Sequence, residues 1–228
     1  MRIVSWNCNL KLAKKFDQVA ELKPDILVVQ ECERLPVDYF PGASFHWLGQ
    51  SENKGLGVVL FGQRTRIASC YDNKLAFFLP LELEGGVHLL ACWAFNHRAA
   101  TRFGEEFRGS AVDALEHYND WLNQGQTAMV IGDFNNSVVW DKKNKHSNFA
   151  NIDTGMKALG LHSAYHTVTG EVFGEEQKPT LFHTKNKDKP YHIDYCYLPE
   201  SMNCEVKVGK FDEWIGVSDH MPLIVDVI

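Results

Sequence analysis

The chain has 228 residues, 45% of them hydrophobic and 12% aromatic, which is enough for a single domain spanning residues 1–228 to bury a core without disulfides or metals. Its 23 basic and 29 acidic residues leave a formal charge of −6, which argues against a surface that holds nucleic acid by bulk charge alone; carboxylates converging on a divalent cation would explain part of the excess. Six cysteines show neither a CxxC pair nor a zinc-type spacing, and buried, reduced thiols are expected.

In chain order, RIVSW (2–6) reads as a strand entered directly, without a charged and apolar leader. No segment approaches the roughly 20 apolar residues needed to cross a bilayer. A soluble, cytoplasmic protein without a membrane span is therefore expected. KLAKKFDQVAELK (11–23) sets Leu12, Phe16, Val19, Ala20 and Leu22 near one helical face, with Pro24 as the stop. DILVVQE (25–31) and LGVVLF (56–61) are strand-like, and EGG (84–86) between LAFFLPLEL (75–83) and VHLLACWAF (87–95) reads as a hairpin turn. GEEFRGSAVDALEHYNDWLNQG (104–125) predicts a second helix closed by Gly125, and NFANIDTGMKALG (148–160) a third. TAMVIGD (127–133), YHIDYCYL (191–198), CEVKVGKF (204–211) and PLIVDVI (222–228) complete the strands. Hairpins mixed with helical crossovers predict an α/β fold, a four-layer α/β/β/α sandwich of two packed mixed sheets.

Five apolar runs end in polar groups: Asn7 and Asn9; Gln30, Glu31 and Glu33; Asp133, Asn135 and Asn136; Asp194; Asp219 and His220. If these strand ends meet in space, they supply oxygen ligands, amide donors and an imidazole. That set suits metal-assisted attack of water on a phosphate ester: Mg²⁺ takes hard oxygen ligands, and an Asp beside an imidazole favours the protonated ring. Each residue also has a plainer reading. Asn7 serves equally as a turn cap, Glu31 as a solvated strand end, Asp194 as an acceptor for a loop amide, and His220 as a buried histidine bonded to backbone.

The signatures WN, QE, GDFN, IDY and SDH, in that order between residues 6 and 220, make the sequence similar to the endonuclease/exonuclease/phosphatase superfamily, with its DNase-like fold. The resemblance implies a phosphodiesterase. By it, Asn7 and Glu31 would hold Mg²⁺, or Mn²⁺, with Asp219 close to the metal; Asp133 would position or activate the water. Asn135 would bind the phosphate, and His220, paired with Asp194, would contact a phosphate oxygen.

The pattern departs from relatives at LLACWAFNHRAATRF, where a histidine or a tyrosine with a nearby asparagine is usual. Here stand Trp93, Asn96, His97 and Arg98: Trp93, Asn96 and Arg98 are candidate substrate contacts, and His97 is a candidate catalytic group. An indole donates a hydrogen bond but supplies no phenolate.

Lysines 142, 143 and 145, lysines 185, 187 and 189, and arginines 98, 102 and 108 flank these segments, as do Trp140, Phe182, His183, Tyr191 and Trp214. Charges and rings of this kind grip flanking phosphates and stack bases, and equally serve as solvated loops and core. Nucleic acid, DNA foremost, is the expected substrate, with a phosphorylated small molecule or lipid as the alternative and a catalytically silent binding protein as a third reading.

Overall fold

Strands that are apolar on both faces need cover on both sides, and the chain provides it by stacking two six-stranded sheets with helices outside them. The computed structural model describes residues 1–62, 65–95 and 109–228. The first sheet has the order β13 (Cys204–Val208), β14 (Leu223–Val227), β1 (Arg2–Asn7), β2 (Ile26–Cys32), β4 (Lys54–Phe61), β3 (Ala43–Ser51). The second has the order β5 (Thr65–Ile67), β6 (Phe78–Leu83), β7 (Val87–Trp93), β8 (Thr127–Asp133), β12 (Asp194–Pro199), β9 (Leu161–Ser163). β10 (Leu181–Phe182) and β11 (Pro190–Tyr191) form a separate ribbon.

Each sheet is mixed, with a parallel pair inside antiparallel neighbours: β1 with β2, and β7 with β8. Parallel strands need a crossover, and helices α1 (Phe16–Ala20) and α2 (Ala111–Gln124) lie on those two connections. Because the paired strands run the same way, their carboxyl ends fall side by side: Asn7 is the register partner of Gln30, and Trp93 that of Asp133. Antiparallel β12 begins at the same edge, with Asp194 opposite Asp133.

Alternation along the strands sorts three apolar layers. Ile3, Ile26, Val28, Met129, Ile131 and Cys196 pack between the sheets. Val4, Trp6, Leu27 and Val29 face the layer outside the first sheet, and Val130, Tyr195 and Tyr197 face α2 and helix α3 (Phe149–Ala158) outside the second. By the same alternation Asn7, Gln30, Asp133 and Asp194 end the row that faces the space between the sheets.

Most of the expected elements are present; the short strands β5, β9 and β10 were not expected, and the other differences have local causes. The single helix expected over 11–23 is a 3₁₀ turn, Leu12–Lys14, followed by α1; Lys15 breaks it at φ −124°, its ammonium turned back to the carbonyls of Cys8 (2.6 Å) and Asn9 (3.1 Å). β3 was not expected; as a half-buried edge strand it carries only the short alternation Ser44, Phe45, His46, Trp47 in place of a continuous apolar run. The strand expected at 191–198 starts only at Asp194, since Pro190 and Tyr191 pair with β10 instead. Of the helix expected over 104–125, the described part is α2, and residues 104–108 lie outside the described residues. All six cysteines are free, and no helix among the described residues is long and apolar enough to cross a membrane.

Gly132 sits at φ 152°, where a Cβ would overlap the carbonyl oxygen of Cys92 on the adjacent strand. A glycine there lets β7 and β8 close together just before Asp133. Gly132→Ala is expected to cost about 2–4 kcal/mol in urea unfolding, through forced backbone shift and left-side strain; a loss within about 0.5 kcal/mol would show that this close approach does not constrain the sheet.

Candidate active site

The carboxylate of Asp133, fully buried at the end of β8, is the centre of the polar cluster. Its Oδ2 accepts from Asn7 Nδ2 across the inter-sheet space (3.0 Å) and from Asn135 Nδ2 (3.1 Å), and its Oδ1 accepts from the Asn135 backbone N–H (2.8 Å). Asn135, at φ 45°, closes an Asx-type turn that fixes the carboxylate's direction. Its side-chain amide, expected on a phosphate, is therefore engaged with Asp133 in this state.

Asp194 Oδ2 accepts from His220 Nδ1 at 2.9 Å, with both side chains buried. Two hydroxyls set this pair. Thr180 Oγ1 accepts the backbone N–H groups of Ile193 (3.0 Å) and Asp194 (3.1 Å), and Ser218 Oγ donates to the Asn7 carbonyl (2.7 Å) while accepting the His220 N–H (3.0 Å). Asp133, Asp194 and His220 each offer an atom within 4.8 Å of the others.

Burial raises the pKa of Asp133 to about 7, reinforced by the neighbouring charge of Asp194; His220, Asn7 and Asn135 work the other way. Burial alone would favour a neutral His220, but the carboxylates of Asp194 and Asp133 outweigh it and carry its pKa to about 10. At neutral pH the site thus holds an imidazolium beside a carboxylate poised to gain or lose a proton.

Glu31 reaches the same edge by a different device. The β2–β4 register shifts between Gln30 and Cys32, so Cys32 joins the outer layer with Val29, and Glu31 adopts φ 61° in the bulge. Its Oε2 lies 2.9 Å from Lys54 Nζ, with the Glu31 side chain 21% exposed. Asp219 Oδ1 accepts from Asn9 Nδ2 (3.2 Å), and Asn9 donates its backbone N–H to Asn7 Oδ1 (3.1 Å), which links Asp219 to the same loop. Glu33 caps the turn after Asn9 through the Leu12 (2.6 Å) and Ala13 (3.0 Å) N–H groups.

Two hydrogen-bonded sets, Asn7–Asp133–Asn135 and Asp194–His220, therefore lie side by side, with Asp219 and Glu31 on the flanks. Trp93 is 3% exposed, packed against Phe77 (4.7 Å) and Phe95 (4.8 Å), and its indole nitrogen has no partner among the described residues. The charged group over its ring is Lys54, at 5.2 Å. Asn96, His97 and Arg98, with Arg102 and Arg108, lie outside the described residues. Thr180, Ser218 and Lys54 were missed by sequence reasoning; Ser218 stands in the SDH signature, whereas nothing near Thr180 or Lys54 marks them.

The donors fit a hard cation. Glu31, Asn7 and Asp219 offer oxygen only, and Asp194 Oδ1 is buried without a hydrogen-bond partner among the described residues.

Beside Asn135 opens a cleft of about 760 Å³, lined by Asn136, Trp140, Lys142, Lys145, His183 and Tyr191. Trp140 and Tyr191 lie 4.8 Å apart, and Trp140 is 38% exposed. Of the aromatics that flank these segments, two take the core reading: Phe182 packs on Phe211 (4.5 Å) and Trp214 on Trp6 (5.1 Å).

No family model matches the sequence, and no curated protein matches it. In structure, the chain is similar to the 3′ phosphatase NExo from Neisseria bound to product DNA hairpin, with a TM-score of 0.74 and 20% identity over 100% of this chain and 99% of that one. It is also similar to an AP endonuclease from Archaeoglobus fulgidus (TM-score 0.67, 15% identity, 100% and 99%). An endonuclease/exonuclease/phosphatase family protein from Leptotrichia buccalis matches with a TM-score of 0.60 at 17% identity, over 100% and 99%.

In NMR titration of the metal-free protein, the His220 ring is expected to stay protonated through neutral pH, and Asp194→Asn is expected to bring its pKa down towards the ordinary 6.5. Because the folded pKa is raised, this pair's contribution to stability is complete below about 6.5 and is lost as pH rises towards about 10. A wild-type ring that titrates near 6.5 would contradict the coupling.

Proposed function

From the DNase-like fold that this chain has, of the endonuclease/exonuclease/phosphatase type, we propose that it is a divalent-metal-dependent phosphodiesterase that cleaves nucleic acid, DNA foremost. The observation that carries the reading is the buried cluster in which Asp133, oriented by Asn7 and Asn135, lies beside the Asp194–His220 pair.

Asp133 is the group that orients a water and takes its proton: its pKa of about 7 suits a general base near neutrality. His220 points Nδ1 at Asp194 and keeps Nε2–H for a phosphoryl oxygen, where an imidazolium stabilises the charge that grows as the water oxygen bonds to phosphorus and the ester oxygen departs. Glu31 and Asn7, with Asp219, would hold Mg²⁺ or Mn²⁺, which when bound neutralises charge on the phosphate. Asn135 would turn its amide from Asp133 towards the substrate.

The adjoining cleft supports a nucleic-acid substrate. Its volume of about 760 Å³ suits a nucleotide-sized group. Trp140 and Tyr191 offer rings for a base, and Lys142 and Lys145 offer charge for flanking phosphates, a local patch on a chain of net charge −6.

In Mg²⁺-dependent assays, Glu31→Ala and His220→Ala are each expected to lower kcat by about 100-fold or more with the fold intact by circular dichroism. A near-normal rate in either would remove that residue from the mechanism. Cleavage of labelled DNA is expected to fall steeply with added salt. Trp140→Ala is expected to raise KM for DNA about tenfold while leaving hydrolysis of bis-p-nitrophenyl phosphate unchanged; turnover of the small ester alone would favour a small-molecule phosphoesterase.

A further inference from the structure

We infer that Lys54 is a phosphate-binding residue of this cleft, held in reserve by Glu31 until a divalent cation takes that carboxylate; the inference rests on the metal-dependent reading above. Lys54 opens β4 beside the β2 bulge: Gly55, the next residue, is the register partner of Cys32, the residue after Glu31. Its ammonium lies 2.9 Å from Glu31 Oε2 and 5.2 Å from the centre of the Trp93 ring, so a carboxylate and a π face hold it together.

That location is fixed at both ends. The backbone at Gly55 is packed so closely on Leu48 and Trp47 that a Cβ would overlap them, which anchors the base of the lysine stem. Trp93 is wedged between Phe77 and Phe95 and is the register partner of Asp133. The ammonium therefore sits over the residue paired with the central carboxylate, with its side chain still 36% exposed.

Two cations compete for one carboxylate. The ammonium neutralises Glu31 in the metal-free chain, and a divalent cation on the same carboxylate repels it. Once displaced, Lys54 is a charge on a flexible stem over Trp93, the register partner of Asp133, and is free to meet a phosphate brought to Asp133 and His220. The same lysine then lowers metal affinity in the empty site and binds phosphate in the loaded one.

The test is to titrate the metal-free full chain with Mn²⁺, followed by electron paramagnetic resonance, for wild type, Lys54→Met, Lys54→Gln and Glu31→Ala. Mg²⁺-dependent kcat and KM on bis-p-nitrophenyl phosphate are measured in parallel at saturating metal. Both Lys54 variants are expected to bind Mn²⁺ about fivefold to tenfold more tightly, since a competing charge is gone. They are also expected to turn over at least about tenfold more slowly, since a charge on the phosphate is gone. A lysine that merely supports the fold would not tighten metal binding. Unchanged Mn²⁺ affinity, or tighter binding with unchanged kcat and KM, would overturn the inference. Wild type without saturable Mn²⁺ binding, or Glu31→Ala binding Mn²⁺ as well as wild type, would instead overturn the metal-dependent reading, and the inference with it.

Discussion

Asn7 and Asp133 belong to different sheets, and the 3.0 Å hydrogen bond between them crosses a space filled mainly by apolar side chains. A second, longer crossing runs beside it, from Gln30 Nε2 to the Cys92 carbonyl at 3.4 Å. Both depend on strand register. A slip of one residue in β1, β2 or β8 would turn the amide or acid towards the outer layer and an aliphatic side chain into the cleft. The apolar packing of Ile3, Val28, Met129 and Ile131 is thus what aims the polar ends of the same strands.

Concentrating carboxylates in a dry seam has an electrostatic cost, and the surrounding groups decide how it is met. Asp133 is offset by two amides and a backbone N–H, Asp194 by the imidazolium of His220, and Glu31 by Lys54. Removing one member of the buried Asp194–His220 pair leaves the other undercompensated, at about 3–5 kcal/mol, whereas the partly exposed Glu31–Lys54 pair is screened by water and counts for less. The left-handed backbone of Glu31 and Asn135 belongs to the same account, since strained residues persist where neighbours over-determine them. A cation at Glu31 would relieve the acidic excess further, which gives the cluster a chemical reason to accept one.

The fold was largely legible because fully buried strands announce themselves as apolar runs, and the polar residues that end those runs could be read as one set. Asn7, Asp133, Asp194 and His220 meet as a network for that reason. What escaped is whatever depends on tertiary context. β3 alternates over only Ser44–Trp47 before Leu48 and Gly49 interrupt the pattern, and Lys15 breaks a well-patterned helix to reach two carbonyls. Lys54 carries no local signal at all, because its meaning comes from a bulge 23 residues earlier and a tryptophan on the other sheet.

The convergence of these scattered groups on a single hard cation is tested most directly by anomalous diffraction from crystals grown with Mn²⁺. The account predicts one strong peak about 2.1–2.3 Å from a Glu31 carboxylate oxygen, on the side of Asn7 and Asp219. A peak only at the surface group Asp113, Glu116 and His146, with none beside Glu31, would contradict it.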